Sequence, residues 1–482
     1  MNIRTITDHG VRWRWPLRAF VLPATLLIAA LIAGCMTVGP DHVSPATDAA
    51  VPPAWFSEDP SMTGTNALAL AQWWTQLDDP VLDTLVEAAL GGNLDLEQAR
   101  SRVREARAQR GIETAARFPS LAGGGSVAAV KEGSQPSGEL YTTGFDAAWE
   151  IDLFGRVTRR IEAATADAQA RVEAQRAVRV SLLAELALNY IEYRAYEKRT
   201  ELARGNIDTL EQTLDIVRVR HESGLADELQ LAQAESNLAA EQSRMPPLET
   251  GRDRAAHRLA VLVGQRPGTL AELLATRESM PSASPQVAVG IPADLLRRRP
   301  DLRRAESELA AQSARVGVAT AELYPRFSLN GNLNFGASDA GDLFDGASRS
   351  AGIGPAFSWN IFNAGSVRNN IRVQNERQRQ ALLRYEQTVL LALEETENAM
   401  VAQFRGQERR RTLEAAVTAA RRAADLAESL YLDGLKDFLQ VLDTQRVLFT
   451  VEDQFVLSDA EVAANLVRLY KALGGGWAEG HR

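Results

Sequence analysis

The sequence contains an internal duplication, and this feature limits the possible folds more than any other. Residues 93–119 match residues 299–325 at a constant offset of 206 positions, and Gly224-Leu225 corresponds to Gly434-Leu435 at an offset of 210. A repeat of this length means that one structural unit occurs twice in the chain. Each unit has the pattern of a helix, a pair of strands, a long helix, a glycine turn and a second long helix.

Long stretches without proline follow the strand pairs of both repeats. No proline occurs between Gly155 and Pro246, or between Gly365 and Arg482. Because proline interrupts helices, very long helices are possible here, and residues 156–221 alone would reach about 100 Å at about 1.5 Å per residue. Only 6% of the residues are aromatic, which suits long helices better than a compact enzyme with an aromatic core. We therefore predict a mainly α-helical protein.

Two segments in each repeat alternate between apolar residues and polar or small ones. The predicted strands cover about 120–130 and 141–152 in the first repeat, and about 327–336 and 351–362 in the second. Segments of about ten residues with one apolar face are typical of tilted transmembrane strands. The pattern therefore predicts four membrane-spanning strands in each chain.

The alternation also assigns a face to individual strand residues. It places Phe335 and Trp359 on a lipid face, and Asn332 and Ser358 on a lumenal face. The alternative is a sheet that packs on a soluble core, but the flanking helices leave no second apolar layer to cover it. Four strands cannot close a membrane barrel, and an open edge in lipid leaves backbone groups without hydrogen bonds. We therefore predict that several chains pool their strands in a transmembrane β-barrel.

The N-terminus has the features of a lipoprotein signal peptide over residues 1–34. Basic residues precede an apolar run over 19–33, which is short for a membrane span but suits a signal sequence. The run ends in Leu31-Ile32-Ala33-Gly34-Cys35, which resembles a bacterial lipobox, and Cys35 is the only cysteine. We predict a covalent lipid on Cys35, with a buried cysteine after an ordinary signal as the alternative. Met36, in place of aspartate, is similar to lipoproteins that are sorted to the outer membrane.

Composition and motifs argue against several function classes. The net charge of −9 leaves no basic excess for a nucleic-acid partner. A single cysteine excludes disulfides within one chain, and the five histidines are scattered, so we expect no metal site. There is no nucleophile elbow, phosphate-binding loop or dinucleotide fingerprint. We therefore expect no enzyme activity, and no cofactor other than the covalent lipid on Cys35.

Several short motifs occur in a fixed order along the two repeats. They are Val38-Gly39-Pro40-Asp41, Trp73-Trp74, and residues 149–156, 291–302 and 469–477. With these motifs the chain resembles the TolC-like outer-membrane efflux proteins, in the lipoprotein branch often called NodT-type. The resemblance covers nearly all of the mature chain.

This resemblance implies a homotrimer with a twelve-stranded barrel, four strands per chain, on an α-helical barrel in the periplasm. It implies the exit duct of a tripartite efflux pump in the outer membrane of a Gram-negative bacterium. The duct would passively conduct substrates from a periplasmic adaptor and an inner-membrane transporter of the resistance–nodulation–division class. The predicted segments are the signal peptide 1–34, an extended arm 35–78, a first repeat 79–264, a linker 265–292, a second repeat 293–473 and a tail 474–482.

The resemblance also implies an iris-like gate near the periplasmic helix tips, where Gly224 and Gly434 form the turns. Leu439, Asp443 and Arg446 follow the second turn at positions i, i+4 and i+7, so they share one helix face. Three copies around an axis would stack a leucine layer, a carboxylate layer and an arginine layer. Such a carboxylate ring would favour cations.

Two further tip residues, Tyr431 and Lys436, match positions that in relatives tie the tip to neighbouring helices. The first repeat has Gln233 at the position that Asp443 holds in the second, so a single acidic ring is expected; Gln440 replaces an acidic residue of some relatives. The alternative is an ordinary coiled-coil surface with solvated charges, because such charged pairs are common and individually weak.

Two other functions compete with the channel. A periplasmic adaptor is also lipidated but carries one hairpin between split halves of other domains, whereas here the unit is duplicated. A structural envelope lipoprotein would be a coiled-coil spacer with no pore. The exported substrate and the identity of the transporter and adaptor cannot be read from the sequence.

Overall fold

The computed structural model describes residues 37–44, 55–56, 70–131, 133, 137–276, 280–281 and 298–478. The predicted signal peptide 1–34 and Cys35 lie outside the described residues. So do parts of the arm 35–78, of the linker 265–292 and of the tail 474–482. The predicted segment boundaries stay predictions.

Both repeats run in the order helix, strand pair, long helix and returning helix, but the first repeat has two helices before its strands and two after its turn. The first repeat consists of α1 (Pro80–Gly92), α2 (Leu94–Ala115), β1 (Ser120–Val130), β2 (Gly138–Ile151), α3 (Arg156–Glu222), α4 (Glu228–Gln242) and α5 (Met245–Leu262). The short helix α6 (Ala271–Leu274) follows it. The second repeat consists of α7 (Pro300–Ala321), β3 (Arg326–Ala337), β4 (Arg349–Ser358), α8 (Ser366–Leu432) and α9 (Phe438–Ala472). Two 3-10 helices occupy Trp73–Leu77 and Ala340–Asp342.

The chain divides into two compact units. The strand unit comprises the described residues up to Val43, Arg107–Ala166 and Leu309–Gln380. The helical unit comprises Ser44–Ala106, Asp167–Glu308 and the residues from Ala381 onward. The long helices α3 and α8, of 67 residues each, contribute to both units.

The strand unit contains one antiparallel sheet in the order β1-β2-β3-β4. Its register pairs Leu329 with Trp149, and Phe327 with both Ile151 and Phe357. Because paired residues point to the same side of a sheet and alternate along each strand, the apolar positions of all four strands share one face. Phe335 lies on this apolar face, whereas Asn332 and Ser358 lie on the opposite face, as the alternation predicts.

The fourth strand is shorter than predicted. It ends at Ser358, so the predicted span of 351–362 was wrong at its end, and Trp359 lies beyond the strand. The ladder ends there because Ser358 pairs with Arg326, the first residue of β3. The preceding residue is Pro325, which has no N–H group to continue the ladder.

Two tryptophans make equivalent contacts at the helix-side end of the sheet. The indole Nε1 of Trp149 donates to the carbonyl of Arg117 at 2.9 Å, and that of Trp359 donates to the carbonyl of Leu323 at 3.1 Å. Arg117 and Leu323 are related by the same 206-residue offset as the sequence repeats. Each indole therefore satisfies a carbonyl in the turn between a helix and a strand.

The helical unit has its own hydrophobic core. The rings of Trp73 and Tyr470 stack at 5.4 Å, and Leu82, Leu85 and Leu183 are fully buried around them. Burial raises the pKa of Tyr470 to about 12. The C-terminal end of α9 and the start of the first repeat therefore share one core.

The single helix predicted before the first strand pair is broken at Asn93. The side chain of Asp79 caps α1 by accepting from the backbone N–H of Leu82 at 2.9 Å. The side chain of Asn93 caps α2 in the same way by accepting from Leu96, and its amide donates to the carbonyl of Leu262 at 2.9 Å. The break thus joins α1 and α2 to the end of α5.

None of the helices in the described part of the chain combines the length and the apolar character needed to cross a membrane.

Candidate gate at the helix tips

Two hairpins of the helical unit turn at glycines. The first hairpin pairs α3 with α4 and α5 around Gly224, and the second pairs α8 with α9 around Gly434. Both glycines have a φ of 73°, a left-handed conformation that glycine adopts without steric cost. Leu225 donates to the carbonyl of Arg220 at 2.8 Å, and Leu435 donates to that of Leu430 at the same distance. The two turns are therefore copies of one helix-ending motif.

A small apolar cluster joins the four helices beside these turns. Its buried members are Leu214, Val217, Ala234, Tyr431, Phe438, Val441 and Leu442, from α3, α4, α8 and α9. The cluster is separate from the main core of the helical unit. The first turn of α9 is thus held against the first hairpin by apolar packing.

Tyr431 is the residue of this cluster with the most varied contacts. Its ring lies 5.4 Å from that of Phe438, and the guanidinium of Arg220 lies 4.6 Å from its centroid. Its hydroxyl donates to Gln230 Oε1 at 3.3 Å, and its carbonyl accepts from Arg220 Nη1 at 3.4 Å. Burial raises the pKa of Tyr431, although the charge of Arg220 acts in the opposite direction. Tyr431 therefore ties the second hairpin to the first.

The other predicted gate residues point away from this cluster. Leu439 is exposed, and the side chains of Asp443 and Arg446 are 56% and 69% exposed. Asp443 and Arg446 approach each other only to 4.0 Å, which is a weak contact at an exposed position. Lys436 is also exposed, and only its backbone N–H is fixed, by the carbonyl of Leu430. The predicted layer residues thus form an exposed face of α9.

The sequence did not reveal the residues of the first hairpin that contact Tyr431. Arg220 and Gln230 belong to the first hairpin, about two hundred positions before Tyr431, and no spacing rule connects them. The buried Gln445 donates to Thr213 Oγ1 at 3.1 Å and forms a second polar link between the hairpins.

No cofactor or metal is suggested by the side chains at the tips. Within the described ranges, no three His, Cys, Asp or Glu residues are grouped so that they could hold a metal ion.

The outer membrane efflux protein family matches the chain over residues 85–265 and 291–475, which cover both repeats. The chain belongs to this family. It is 29% identical to nodulation protein T of Rhizobium leguminosarum, over 95% of this chain and 98% of that protein. It is 32% identical to the pyoverdine export outer membrane protein OpmQ of Pseudomonas aeruginosa, over 93% of this chain and 96% of that protein.

The fold is also that of a solved outer-membrane channel. The structure of OprN superposes with a TM-score of 0.84 and is 37% identical, covering 91% of this chain and 99% of that one. The predicted family and fold class are thereby confirmed, and so is the function as an outer-membrane efflux channel that serves as the exit duct of a pump. The family and the fold are those of channels and not of enzymes, adaptors or coiled-coil spacers.

Proposed function

We propose that the channel is a homotrimer in which twelve strands close one barrel. The observation that supports this most strongly is the sheet itself. Its four strands present one apolar face, and among the described residues β1 and β4 each have only one neighbouring strand. An unpaired edge cannot be left in lipid, because no water satisfies its backbone groups. Pairing of β4 with β1 of the next copy would remove every edge.

The barrel predicts opposite tolerances for charge on the two faces of the sheet. Phe335→Arg on the apolar face should destabilise the inserted barrel by up to roughly 2–4 kcal/mol, the cost of such a charge at the bilayer midplane. Asn332→Arg, on the other face of the same strand, should cost far less. Unfolding from liposomes measures the loss of stability of each variant, and native mass spectrometry measures the size of the oligomer. A stable inserted monomer, or equal losses for the two variants, contradicts the trimeric barrel.

We further propose that Asp443 lines the narrowest point of the periplasmic gate. In a trimer, three exposed Asp443 side chains would converge on the axis, with Leu439 and Arg446 as neighbouring layers on the same face. Like carboxylates held close repel each other and recruit cations. The contacts of Tyr431 support this proposal, because they hold the base of α9 against the first hairpin.

The gate is tested by single-channel conductance in planar bilayers, with and without a trivalent cation on the periplasmic side. We expect the cation to block the wild type and to block Asp443→Ala much less, because Gln233 and Gln440 supply no other acidic ring. Gln440→Ala is the matched control on the same turn and should be blocked like the wild type. Equal block of the wild type and Asp443→Ala would mean that the constriction lies elsewhere. Asp443 would then be an ordinary solvated charge on the surface of a coiled coil.

Cys35 remains the proposed lipidation site. The proposal depends on the lipobox-like sequence and on the absence of any other cysteine. We propose that this lipid is the only non-protein group and that the channel performs no chemistry. Incorporation of labelled palmitate into the wild type, and its loss in Cys35→Ser, is the expected result.

The partners are proposed from the function of an exit duct. A passive duct needs a source of energy and a connection to it across the periplasm. We therefore propose a periplasmic adaptor and an inner-membrane transporter of the resistance–nodulation–division class, and no nucleic acid. Co-purification of the trimer with an adaptor and an inner-membrane transporter is the direct test. Recovery of the channel alone after cross-linking in cells would contradict it.

A further inference from the structure

The short segment that follows the proposed lipidation site is fixed to the strand unit. The backbone N–H of Val38 donates to the carbonyl of Phe154 at 3.2 Å. Gly155 has a φ of 75°, and a Cβ there would lie 2.7 Å from Thr37. Gly39 has a φ of 88°, and a Cβ there would lie 2.5 Å from the Cα of Gly317. The backbones therefore approach more closely than any side chain would allow.

The centre of this contact is the side chain of Arg159 on α3. Its Nε donates to the carbonyl of Val38 at 3.2 Å, and its Nη2 donates to the carbonyl of Gly39 at 3.2 Å and to Asp41 Oδ1 at 2.7 Å. Its Nη1 donates to Glu162 at 2.9 Å. We call residues 37–41 with Gly155, Arg159 and Gly317 the arm clamp.

Burial of the arginine is the unusual feature of the arm clamp. The Arg159 side chain is only 4% exposed, whereas its partner Asp41 is 83% exposed. Burying a guanidinium is costly unless its donors are satisfied. Here the donors are used to hold a segment that has no regular secondary structure and little buried surface of its own. The clamp therefore fixes the position of this segment, and the segment adds little to a core.

The position of the arm clamp coincides with a recognisable level of the sheet. Gly155 follows the end of β2 at the helix-side edge, where Trp149 and Trp359 donate to backbone carbonyls. Tryptophans with one apolar and one hydrogen-bonding side are enriched where a membrane barrel meets water. The arm clamp thus lies at the edge of the sheet that these indoles mark as the membrane–water interface.

We propose that Arg159 is a positioning residue that holds the lipid of Cys35 at this interface. The inference rests on the proposed lipidation of Cys35. Two residues can span at most about 7 Å, so a lipid on Cys35 is tethered within that distance of Thr37. The membrane–water interface is the depth at which the glycerol group of a membrane lipid lies. The acyl chains therefore enter the bilayer beside the end of β2, and the lipid and the sheet insert as one body.

The test compares lipidated and non-lipidated protein, each with and without Arg159→Ala. The non-lipidated form carries a cleavable non-lipoprotein signal in place of residues 1–34 and serine in place of Cys35. The measured quantity is the fraction of protein that becomes protease-resistant and heat-modifiable after addition to phosphatidylethanolamine–phosphatidylglycerol liposomes. Arg171→Ala is the matched control, because Arg171 is an exposed arginine of the same helix.

We expect Arg159→Ala to lower the inserted fraction about tenfold in the lipidated protein, since lost hydrogen bonds to a charged group commonly change an equilibrium by that factor. In the non-lipidated protein, Arg159→Ala should lower the inserted fraction by no more than about twofold. Effects of independent sites usually add to within about that factor. Equal losses in both forms would show that Arg159 acts through folding alone and would overturn the proposal. No loss in the lipidated form, or a loss confined to the non-lipidated form, would also overturn it.

Two further measurements keep the result unambiguous. Gly39→Ala disrupts the arm clamp from the arm side and leaves α3 intact, so it should reproduce the pattern if Arg159→Ala does not fold. Palmitate incorporation is followed in each protein. Its absence from the wild type would refute the lipidation itself, whereas its presence in Arg159→Ala with unchanged insertion would refute only the role of the arm clamp.

Discussion

The two hairpins of the helical unit turn in the same way but are anchored differently. After the first turn comes Glu228, whose side chain is 82% exposed and contacts His221 at 3.3 Å. At the equivalent position after the second turn comes Phe438, which is 2% exposed and packs on Tyr431. A polar, solvated contact thus closes the first tip. An aromatic contact between α8 and α9, packed in the apolar cluster that also includes the first hairpin, closes the second.

The returning helices differ as well. The first hairpin returns through α4 and α5, which are separated at Ser243 and Arg244, just before Pro246 and Pro247. The second returns through the unbroken α9 of 35 residues. Beside the break lies a cavity of about 260 Å³, lined in part by Arg199 and Asp453, which form an ion pair at 2.7 Å.

This difference is the reason for which we propose the gate in the second hairpin. A continuous helix transmits a displacement along its length, whereas a broken one absorbs it at the break. The second hairpin is also the one that bears the exposed face of Leu439, Asp443 and Arg446. We therefore expect changes that loosen the second tip to affect conduction, and matched changes in the first to affect it little.

Removal of the aromatic anchor should have the largest effect. Phe438→Ala should destabilise the second tip by about 3–5 kcal/mol, the usual cost of deleting a buried aromatic side chain. Glu228→Ala, the matched change in the first hairpin, should stay within about 0.5 kcal/mol. Hydrogen exchange over residues 438–445 and 228–235 measures the two effects. Similar loss of protection in both tips would mean that the anchors are equivalent.

Substitution of the turn glycines should affect the two hairpins equally. Gly224→Ala and Gly434→Ala each force a left-handed residue, at a cost of roughly 1–2 kcal/mol. A Cβ at either position would meet no atom within 4 Å, so backbone strain is the only difference. Limited proteolysis at the two turns provides the comparison. A clearly larger loss at one turn would show that its surroundings, and not its φ, determine the cost.

Alkaline pH should loosen the second tip less than the substitutions of Phe438 or of the turn glycine do. Burial raises the pKa of Tyr431 above its usual value of about 10, so the packed tip favours the neutral phenol. The stabilisation is present below pH 10 and is lost as the pH rises through the raised pKa. Conductance of the wild type should therefore rise in this range, and that of Tyr431→Phe should not.

The neutral-pH behaviour of the tip variants provides the control. Tyr431→Phe removes the hydrogen bond to Gln230 and should raise conductance at every pH by an amount that reflects about 0.5–1.5 kcal/mol. Lys436→Ala should raise it less, because the Lys436 side chain is exposed. An alkaline rise that persists in Tyr431→Phe would assign the titration to another group.

The elements and faces of the fold could be predicted from the sequence because they depend on local patterns. Alternation places Phe335 and Asn332 on opposite faces, and the absence of proline allows the 67-residue helices α3 and α8. The end of β4 could not be predicted, because it depends on its pairing with a strand that begins after Pro325. The break at Asn93 was also missed, since its cap is stabilised by the distant Leu262.

The candidate gate was predictable only in part for the same physical reason. Leu439, Asp443 and Arg446 lie on one helix, so their shared face follows from spacing. The link from Tyr431 to Arg220 and Gln230 joins different repeats, and only the packed structure brings these residues together.

The fusion of two repeats into one chain has an evolutionary consequence. If a ring of hairpins were built from a single repeat, every substitution would appear at all of its positions at once. In the proposed trimer, the change that distinguishes Asp443 from Gln233 appears at alternate hairpins only. One half of the gene can then accumulate changes in ion selectivity while the other half preserves the wall of the duct. The duplication thus allows the ion selectivity of the pore to change while the wall of the duct stays the same.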